Sequence, residues 1–401
     1  MGKRNVPKLR FKGFNDKWKE CSLKELCVIN PKTAQLPDKF NYIDLESIVS
    51  GTLIKNNLME LKNAPSRAQR LLNKGDVLFQ TVRPYQMNNF LFDIEIGCEN
   101  VASTGYAQLR VKNSSYNKFI YQLIHNKGFN NKVMLRCTGT SYPAINSSEL
   151  ATIPIKVPSL EEQTKIANFL SNVDKIIEEQ EGKVKDLELY KKGMMQKIFK
   201  QEIRFKDDNG QDYPEWEETL LGDISDVRDG THESPKYVEE GYPLITSKNL
   251  MKNGSIDYSN VNYITESDYI NINKRSEVEI GDILFGMIGT IGNPVLVDKK
   301  GFAIKNVALI KEKNELKNIY LLVYLNSSLI GEQFYKVNTG GTQKFIALNL
   351  IRNLKIQLPC LEEQEKIANF LSNIDKIIEE ENKKLEDLRQ WKKGLLQQMF
   401  V

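Results

Sequence analysis

The chain contains the same long helical segment twice, 201 residues apart. Residues 158–199 and 359–400 align without a gap and are identical at 27 of 42 positions. A repeat of about 200 residues is far longer than the unit of a solenoid, which runs to roughly 50 residues. The pattern therefore predicts a duplicated module, in which each copy is a variable globular region followed by a long helix. Such internal pseudo-symmetry suits a pseudo-symmetric target or two copies of one partner.

Length and composition are those of a globular protein with several domains. The chain has 401 residues, of which 40% are hydrophobic and 27% charged, enough for two to four domains. No stretch approaches 18 uncharged apolar residues and the first residues lack the apolar core of a secretory signal, so we expect no membrane partner. The five cysteines form no C-x-x-C pair, which favours reduced thiols in the cytoplasm and makes a zinc site improbable.

Charge is nearly balanced. The 56 basic and 52 acidic residues leave a net charge of +4, so any nucleic-acid binding would depend on local patches rather than on bulk charge. His125 and His232 are the only histidines in the sequence, which leaves little material for histidine-based catalysis or metal binding.

The two variable regions share a rhythm although they share little sequence. Residues 75–79 and 281–285 both read Gly-Asp-[Val/Ile]-Leu-Phe, which predicts a turn followed by a short buried strand. Alternating segments at 153–157 and 354–358 predict a strand directly before each long helix, and Pro154 favours an edge strand in the first. Helices are predicted near 116–125 and 319–325. We expect a mixed α+β fold: two α/β globules with many short strands, each followed by a long helix.

The long helices carry a heptad pattern. Apolar residues fall seven or fourteen apart in both copies, as the a and d positions of a coiled coil do. Ser159 with Glu162 predicts a capping box at the start of the first helix. The simplest arrangement pairs the two helices antiparallel within one chain, with pseudo-two-fold symmetry; the alternative is that each helix packs on its own globule. The predicted seam residues are Leu170, Ile177, Val184, Leu187, Leu371, Ile378, Leu385 and Leu388.

Motifs of the expected enzyme classes are missing from the sequence. A DNA adenine methyltransferase needs an [Asn/Asp]-Pro-Pro-[Tyr/Phe] tetrapeptide, yet the two Asn-Pro pairs, at residues 30–31 and 293–294, are followed by Lys32 and Val295. There is no G-x-x-x-x-G-K-[ST] sequence, so a P-loop nucleotide site is unsupported. His232 is interpreted as a loop residue rather than a general base. We therefore predict no catalytic residues, no metal site and no cofactor in this chain.

Polar loops in the first variable region contain candidate DNA-binding residues. Residues 81–89 hold Arg83, Tyr85, Gln86 and Asn88. Arginine can read guanine, and glutamine or asparagine can read adenine, through two hydrogen bonds to one base edge. Further along, residues 138–143 offer hydroxyl groups and backbone N–H groups that suit phosphate. The candidates in this second loop are Thr140, Ser141 and Tyr142.

The second variable region has a Gly/Thr-rich loop at the corresponding point, residues 338–344. Its position, like that of 138–143, is just before the strand that leads into the long helix. The alternative interpretation is that all these segments are ordinary polar surface loops. The candidates in this region are Thr231, His232, Lys248, Thr342, Gln343 and Lys344.

These motifs together resemble the conserved regions of type I restriction–modification specificity subunits. The likeness rests on the repeated L-E-E-Q-x-K-I-A-N-F-L-S helix after a proline, the paired R-F-K and Trp openings, and the G-D-[VI]-L-F segments. It covers essentially the whole chain. The resemblance implies two target-recognition domains that each read one half of a split double-stranded DNA sequence, and an antiparallel coiled coil that spaces them and binds two methyltransferase subunits.

The same resemblance implies a division of labour. Methylation of adenine N6 with S-adenosylmethionine would belong to the methyltransferase subunits, and cleavage with ATP and Mg²⁺ to restriction subunits of the full complex. We expect a first recognition domain at 1–157, a central helix at 158–200, a second recognition domain at 201–358 and a C-terminal helix at 359–401. The alternative function is a tandem coiled-coil scaffold whose globules bind protein.

Overall fold

The computed structural model describes residues 6–33, 35–95, 97–337 and 345–401. It divides into two compact units. Unit 1 comprises Met1–Gly182 and Asn382–Val401, and unit 2 comprises Lys183–Glu381. Each long helix thus contributes residues to both units.

The first half of the chain alternates short strands with short helices before one long helix. Its strands are β1 (Lys19–Ser22), β2 (Cys27–Ile29), β3 (Lys39–Ile43), β4 (Ile48–Val49), β5 (Thr52–Leu53), β6 (Leu58–Glu60), β7 (Ala68–Leu71), β8 (Val77–Gln80), β9 (Phe90–Leu91), β10 (Asn100–Ser103), β11 (Tyr106–Val111) and β12 (Pro154–Val157). Its helices are α1 (Leu23–Leu26), α2 (Asn117–Ile124), α3 (Lys127–Met134), α4 (Ser147–Ala151) and α5 (Leu160–Phe199).

The second half follows the same plan. Its strands are β13 (Glu217–Leu220), β14 (Asp226–Asp229), β15 (Tyr237–Val238), β16 (Tyr242–Thr246), β17 (Asn262–Ile264), β18 (Ile283–Gly286), β19 (Gly292–Leu296), β20 (Ala303–Lys305), β21 (Val307–Lys311) and β22 (Lys355–Leu358). Its helices are α6 (Leu221–Ile224), α7 (Glu266–Ser276), α8 (Asn318–Leu325), α9 (Ser328–Val337), α10 (Leu348–Arg352) and α11 (Leu361–Met399).

One four-stranded sheet has the same strand order in both units, and the second sheet shares only part of its order. Unit 1 has the four-stranded sheets β2-β11-β8-β9 and β6-β3-β10-β7, and unit 2 has β14-β21-β18-β19 and β15-β17-β16-β20. In each unit one strand pair is parallel, β3 with β10 and β16 with β20. A two-stranded sheet joins the opening segment to the strand before the long helix, β1 with β12 and β13 with β22. The mixed α/β character expected from the sequence is therefore confirmed.

The predicted turns and strands are present at the positions that the sequence pattern indicates. Gly75 and Gly281 have φ of +93° and +90°, which a side chain would resist, and the buried strands β8 and β18 begin two residues later. β12 pairs with β1 alone, so the predicted edge strand at Pro154 is confirmed. Helices α2 and α8 match the predicted helices to within one residue at each end.

Each unit has its main core where the sheet, the short helices and one end of each long helix meet. In unit 1 Phe79 and Phe119 pack in one cluster with Leu170 of α5 and Met399 of α11. In unit 2 Phe285 and Tyr320 pack with Ile198 of α5 and Leu371 of α11. Since the apolar stripes of both long helices enter these cores, the helices are integral parts of each unit.

The repeated Leu-Glu-Glu-Gln motif contains buried polar anchors. In unit 1 both carboxylate oxygens of Glu162 accept hydrogen bonds from Arg10, from Nε at 2.7 Å and from Nη2 at 2.8 Å. In unit 2 Glu363 accepts from Arg204 Nη2 at 2.9 Å and from Trp216 Nε1 at 2.8 Å. These contacts fasten the opening Arg-Phe-Lys segment of each unit to the start of its long helix.

The glutamine of the motif fastens a second segment. In unit 1 Gln163 Oε1 accepts hydrogen bonds from Ser115 Oγ at 2.7 Å and from the Tyr116 N–H at 3.2 Å. In unit 2 Gln364 Oε1 accepts from the Lys317 N–H at 2.9 Å, and its Nε2 donates to the carbonyl of Glu315. Each glutamine thus holds the entry to α2 or α8.

The start of α5 differs from the predicted capping box. The Glu162 N–H does reach Ser159 Oγ, at a long 3.4 Å. The Glu162 carboxylate, however, is bound by Arg10 rather than returned to the cap. A buried carboxylate gains more from a two-point guanidinium contact than from one backbone N–H, which is the physical reason for the difference.

The eight predicted seam residues are all buried or half-buried. Two lysines at seam positions are paired with aspartates of the other helix: Lys191 Nζ lies 2.5 Å from Asp375 Oδ1 in unit 2, and Lys392 pairs with Asp174 in unit 1. In unit 2 Lys183 also lies 3.0 Å from Glu381. In the part of the chain that is described, no helix has the length and apolarity needed to cross a membrane.

Candidate nucleic-acid interface

The loop after β8 is built around two buried amide side chains. Asn89 Oδ1 accepts from the Gln80 N–H at 2.9 Å, and Gln80 Oε1 accepts from the Asn88 N–H at 3.1 Å. Between them, residues Pro84–Gln86 form one turn of 3₁₀ helix. Arg83 and Met87, at the two ends of that turn, adopt left-handed φ of 53° and 52°. Such conformations are costly for these residue types and concentrate at functional sites.

Arg83 and Tyr142 form a stacked pair. The guanidinium carbon of Arg83 lies 4.4 Å from the centre of the Tyr142 ring, and the Arg83 N–H donates to the carbonyl of Pro143 at 2.7 Å. The half-buried Arg83 side chain makes no hydrogen bond to another described residue, so its donors are not engaged within the described structure. Tyr85 and Tyr142 are 51% and 63% exposed. The structure therefore brings a free guanidinium and two aromatic rings to one surface.

The second loop of unit 1 is a short hairpin. Thr138 and Ala144 exchange backbone hydrogen bonds of 2.9 Å, and Ala144 also bridges to Val82. The tip carries Thr140 and Ser141, both exposed. We refer to residues 81–89 and 138–144 together as loop cluster 1. All seven candidate residues of unit 1 lie in this cluster.

Gln86 and Asn88 have structural partners within unit 1. Gln86 Oε1 accepts from Gln80 Nε2 at 2.8 Å, and Asn88 Oδ1 accepts from the Ser50 N–H at 3.1 Å. Reading adenine with two hydrogen bonds requires both the oxygen and the nitrogen of the amide. Because the amide oxygens of Gln86 and Asn88 are already engaged, these side chains stabilise the loop. The side chain of Arg83, in contrast, makes no hydrogen bond to another described residue.

In unit 2 the candidates Thr231 and His232 lie beside β20. Thr231 bridges to Lys305, and its N–H donates to the Ile304 carbonyl at 3.0 Å. His232 stands between two oxygens, with Nδ1 at 2.8 Å from Asn306 Oδ1 and Nε2 at 2.8 Å from Asp229 Oδ2. Both ring nitrogens are thus occupied, which favours a role for His232 in holding the loop.

Lys248 projects from a buried turn. Its neighbours Ser247 and Asn249 are 3% and 5% exposed, whereas Lys248 itself is exposed. Ser247 Oγ donates to the Asn306 carbonyl at 2.9 Å and accepts from the Met287 N–H at 3.2 Å. Asn306 also contacts His232, so these bonds link residues 230–234, 246–249 and 287–292, which we call loop cluster 2.

Three candidates, Thr342, Gln343 and Lys344, lie outside the described residues. Phe345, directly after them, bridges to Ile288 of loop cluster 2, as Ala144 bridges to Val82 in loop cluster 1. The described residue that ends or directly follows the candidate segment is thus bridged in both units to the segment after β8 or β18.

Sequence reasoning missed Asn306 and the turn at 287–292. The signals were present. Asn306 has φ of 56°, a conformation that asparagine adopts more readily than most residues. Residues 287–292 directly follow the repeated G-D-[VI]-L-F segment, as residues 81–89 do. Within the described ranges, no group of three or more His, Cys, Asp or Glu side chains could hold a metal ion.

Comparison with known proteins gives a consistent result. The model of the type I restriction modification DNA specificity domain matches residues 15–189 and again residues 213–390. The type I restriction enzyme MjaVIII specificity subunit of Methanocaldococcus jannaschii is 28% identical over 320 residues, which are 76% of this chain and 74% of that protein. The repeated match reproduces the internal duplication.

Solved structures share the fold. A chain from a study of complex assembly and conformational transition of the type I R-M system aligns with a TM-score of 0.60 at 23% identity, covering 96% of this chain and 97% of that one. The type I restriction–modification system S subunit from M. genitalium aligns with a TM-score of 0.58 at 18% identity over 99% of both chains. With the family model matched across most of its length, this chain belongs to the type I restriction–modification DNA specificity family.

Proposed function

We propose that this chain is the DNA-recognition subunit of a type I restriction–modification complex and that each unit reads one half of a split target. The observation that carries the proposal is the repeated placement of polar loops. Residues 81–89 of loop cluster 1 follow β8, residues 287–292 of loop cluster 2 follow β18, and each of these segments is bridged to the segment before β12 or β22. In this proposal the free guanidinium of Arg83 reads a base, while hydroxyl groups at 140–142 and Lys248 contact phosphates.

We infer that α5 and α11 pair antiparallel as a coiled coil with internal pseudo-two-fold symmetry. Two contacts support this pairing, Asp174 with Lys392 and Lys191 with Asp375. They are the same pair of repeat positions with the two helices exchanged. Charged residues at a seam cost stability but fix register and orientation. Helices of 40 and 39 residues extend roughly 60 Å, enough to act as a spacer between half-sites.

The proposed partners are double-stranded DNA, two methyltransferase subunits and, in the full complex, restriction subunits. The duplicated helix offers the same surface twice, which suits two copies of one partner. Methyl transfer from S-adenosylmethionine and ATP-driven cleavage with Mg²⁺ are assigned to those partners, and this chain contributes recognition only. Its proposed place of action is the cytoplasm.

Single-molecule sequencing of genomic DNA tests the proposal. Cells would express this chain with its methyltransferase partner, and control cells the partner alone. The expected result is N6-methyladenine in a split motif only when both are present. A stable complex of the two proteins that adds no methylation would refute DNA recognition and favour a protein-binding scaffold.

A further inference from the structure

Arg70 is an unusual charged residue in unit 1. It lies on β7 and is half-buried, and its Nε is fully buried without a hydrogen-bond acceptor. Among the described residues no carboxylate pairs with its guanidinium. Burial alone shifts its pKa, downward from the ordinary value, because no acidic neighbour opposes the loss of hydration.

Other shielded arginines of the chain are satisfied. Arg10 and Arg204 bind the buried carboxylates of Glu162 and Glu363, and Arg110 binds Asp76 at 2.8 Å. The fold therefore provides carboxylates for guanidinium groups at several sites and leaves Arg70 without one. Removing a charge from water without a partner is costly, so the free protein gains nothing from this arrangement.

The position of β7 connects Arg70 to loop cluster 1. Arg70 is opposite Ala102 on β10, and the carbonyl of Arg67, the residue just before β7, accepts from the Thr104 N–H at 2.8 Å. The next residue, Gly105, accepts from both the N–H and the hydroxyl of Thr81, at 3.0 and 2.8 Å. Thr81 is the first residue of loop cluster 1.

Unit 2 also has a cation beside its loop cluster, on the strand next to the one that would correspond to β7. β20 occupies the place of β10, since each pairs in parallel with its neighbour, β16 or β3. There Lys305 bridges to Thr231 of loop cluster 2, and its Nζ lies 3.2 Å from Ser234 Oγ. A basic side chain thus lies next to the loops in unit 2 as well, although on the strand that corresponds to β10 and not to β7.

We propose that Arg70 binds a backbone phosphate of the DNA half-site that unit 1 reads. The inference rests on the proposed function and adds a contact outside the loops. A phosphate offers the strong anionic acceptor that the guanidinium lacks, and the desolvated setting strengthens the bond. A contact of this kind fixes the register of the unit on the duplex and carries no sequence information.

The test uses the complex of this chain with its methyltransferase subunits and a duplex that contains the methylated motif. Arg70→Met removes the charge and keeps the aliphatic stem, and Arg70→Lys retains the charge. The expected result for Arg70→Met is roughly tenfold weaker binding at physiological salt and a slope of log K against log salt reduced by about 1. Arg70→Lys should keep the wild-type slope, and the methylated motif should stay unchanged.

A second measurement separates this role from a structural one. In urea unfolding of the free chain, Arg70→Met should have an unchanged or higher midpoint, because the variant no longer buries an unpaired charge. The control is Lys74→Ala, which removes an exposed lysine of unit 1 that pairs with Glu95 at 2.8 Å and should leave the salt slope unchanged.

Each other outcome overturns the assignment in its own way. An unchanged salt slope in Arg70→Met would exclude a phosphate contact. A motif relaxed at one position would mean that Arg70 reads a base, and a lower urea midpoint would indicate a structural role. A wild-type complex without any specific target would defeat the proposed function itself, and the inference with it, whereas the other results leave that function standing.

Discussion

At the scale of single residues, Arg83 is held in position without losing its donors. Its backbone is fixed by the hydrogen bond to Pro143, and its guanidinium is fixed by the face of Tyr142 at 4.4 Å. A planar group restrained in this way loses less entropy when it forms a two-point contact. Under the proposed function, Arg83 is therefore the residue of unit 1 that we expect to read a guanine edge.

Arg83→Ala should weaken recognition of one half-site only. We expect a loss of about 1–3 kcal/mol in discrimination at one base pair, with the other half-site unaffected, and Arg83→Lys should restore little because lysine cannot make the two-point contact. The measurement is the methylation rate on duplexes with single base changes in either half.

Arg136→Ala is the matched control for Arg83. The Arg136 guanidinium already bonds to the carbonyl of Glu149 and to Thr152 Oγ1, so it should not affect recognition. If Arg83→Ala lowered the rate equally on all duplexes, Arg83 would be a phosphate contact rather than a base reader.

His125 gives unit 1 a pH-dependent stability. It is largely buried, its ring contacts Tyr121, and its Nδ1 lies 2.7 Å from the Tyr121 carbonyl. Burial lowers its pKa to about 4, Lys392 acts in the same direction, and Asp174 opposes it. The unfolded chain takes up a proton below pH 6.5 while the folded chain does not until about pH 4, so acidification favours unfolding in this window.

We expect the wild type to lose up to roughly 3 kcal/mol of unfolding free energy relative to His125→Gln between pH 6.5 and 4. Urea unfolding of both proteins at several pH values measures this difference. Because the two proteins share all their other titratable groups, the contributions of those groups cancel in the comparison. Parallel profiles for wild type and His125→Gln would show that His125 titrates alike in both states.

At the scale of elements, the start of each long helix organises its unit. Its glutamate binds the arginine of the opening segment, and its glutamine binds the entry to α2 or α8. Both side chains are almost fully buried in both units. One short motif thus joins three segments that are distant in the sequence, which explains why the repeat preserves polar residues as strictly as apolar ones.

Glu363→Ala should destabilise the protein by about 3–5 kcal/mol, because it removes the buried carboxylate to which both Arg204 and Trp216 donate. Glu362→Ala is the matched control: it is the neighbouring residue, it is exposed, and it should change stability by less than about 0.5 kcal/mol. Urea unfolding followed by tryptophan fluorescence compares them, since Trp216 donates to Glu363. Equal midpoints for the two variants would contradict the anchoring role.

Element types were predictable where periodicity was strong. The heptads gave the long helices, and the Gly-Asp turns gave β8 and β18. The buried roles of Glu162 and Gln163 were not predictable, since polar residues at the start of a helix normally indicate a cap or an exposed face. Their partners, Arg10 and Ser115, are far away in sequence. Such contacts depend on the tertiary fold, and local patterns do not encode them.

At the scale of the whole molecule, the duplication predicted two similar units, and one sheet has the same strand order in both. The candidate residues in each unit were found from composition alone, and the structure gathers those it describes into two loop clusters. The division of roles within a cluster was beyond the sequence. Whether an amide faces outward or holds its own loop, as Gln86 and Asn88 do, depends on partners such as Gln80 and Ser50.

The proposed spacer can be lengthened without breaking its seam. In an antiparallel pairing the register is fixed by two ion pairs, Asp174 with Lys392 and Lys191 with Asp375. In this register, the peptide bond after Gly182 is opposite the peptide bond after Lys383. Seven residues inserted at both points add one heptad to each helix, which preserves the a and d positions and adds roughly 10 Å. At 3.4 Å per base pair this corresponds to about three base pairs.

The expected result of the double insertion is a methylated motif with the same two half-sites and a spacer longer by about three base pairs, read by single-molecule sequencing. Insertion into α5 alone is the control. It moves Asp174 and Lys191 farther apart along α5, while the distance between their partners on α11 is unchanged. The two ion pairs that fix the register therefore cannot both form, and methylation should be lost. A double insertion that altered a half-site and kept the original spacer would mean that the helices do not set the distance, and that the units read DNA as one surface.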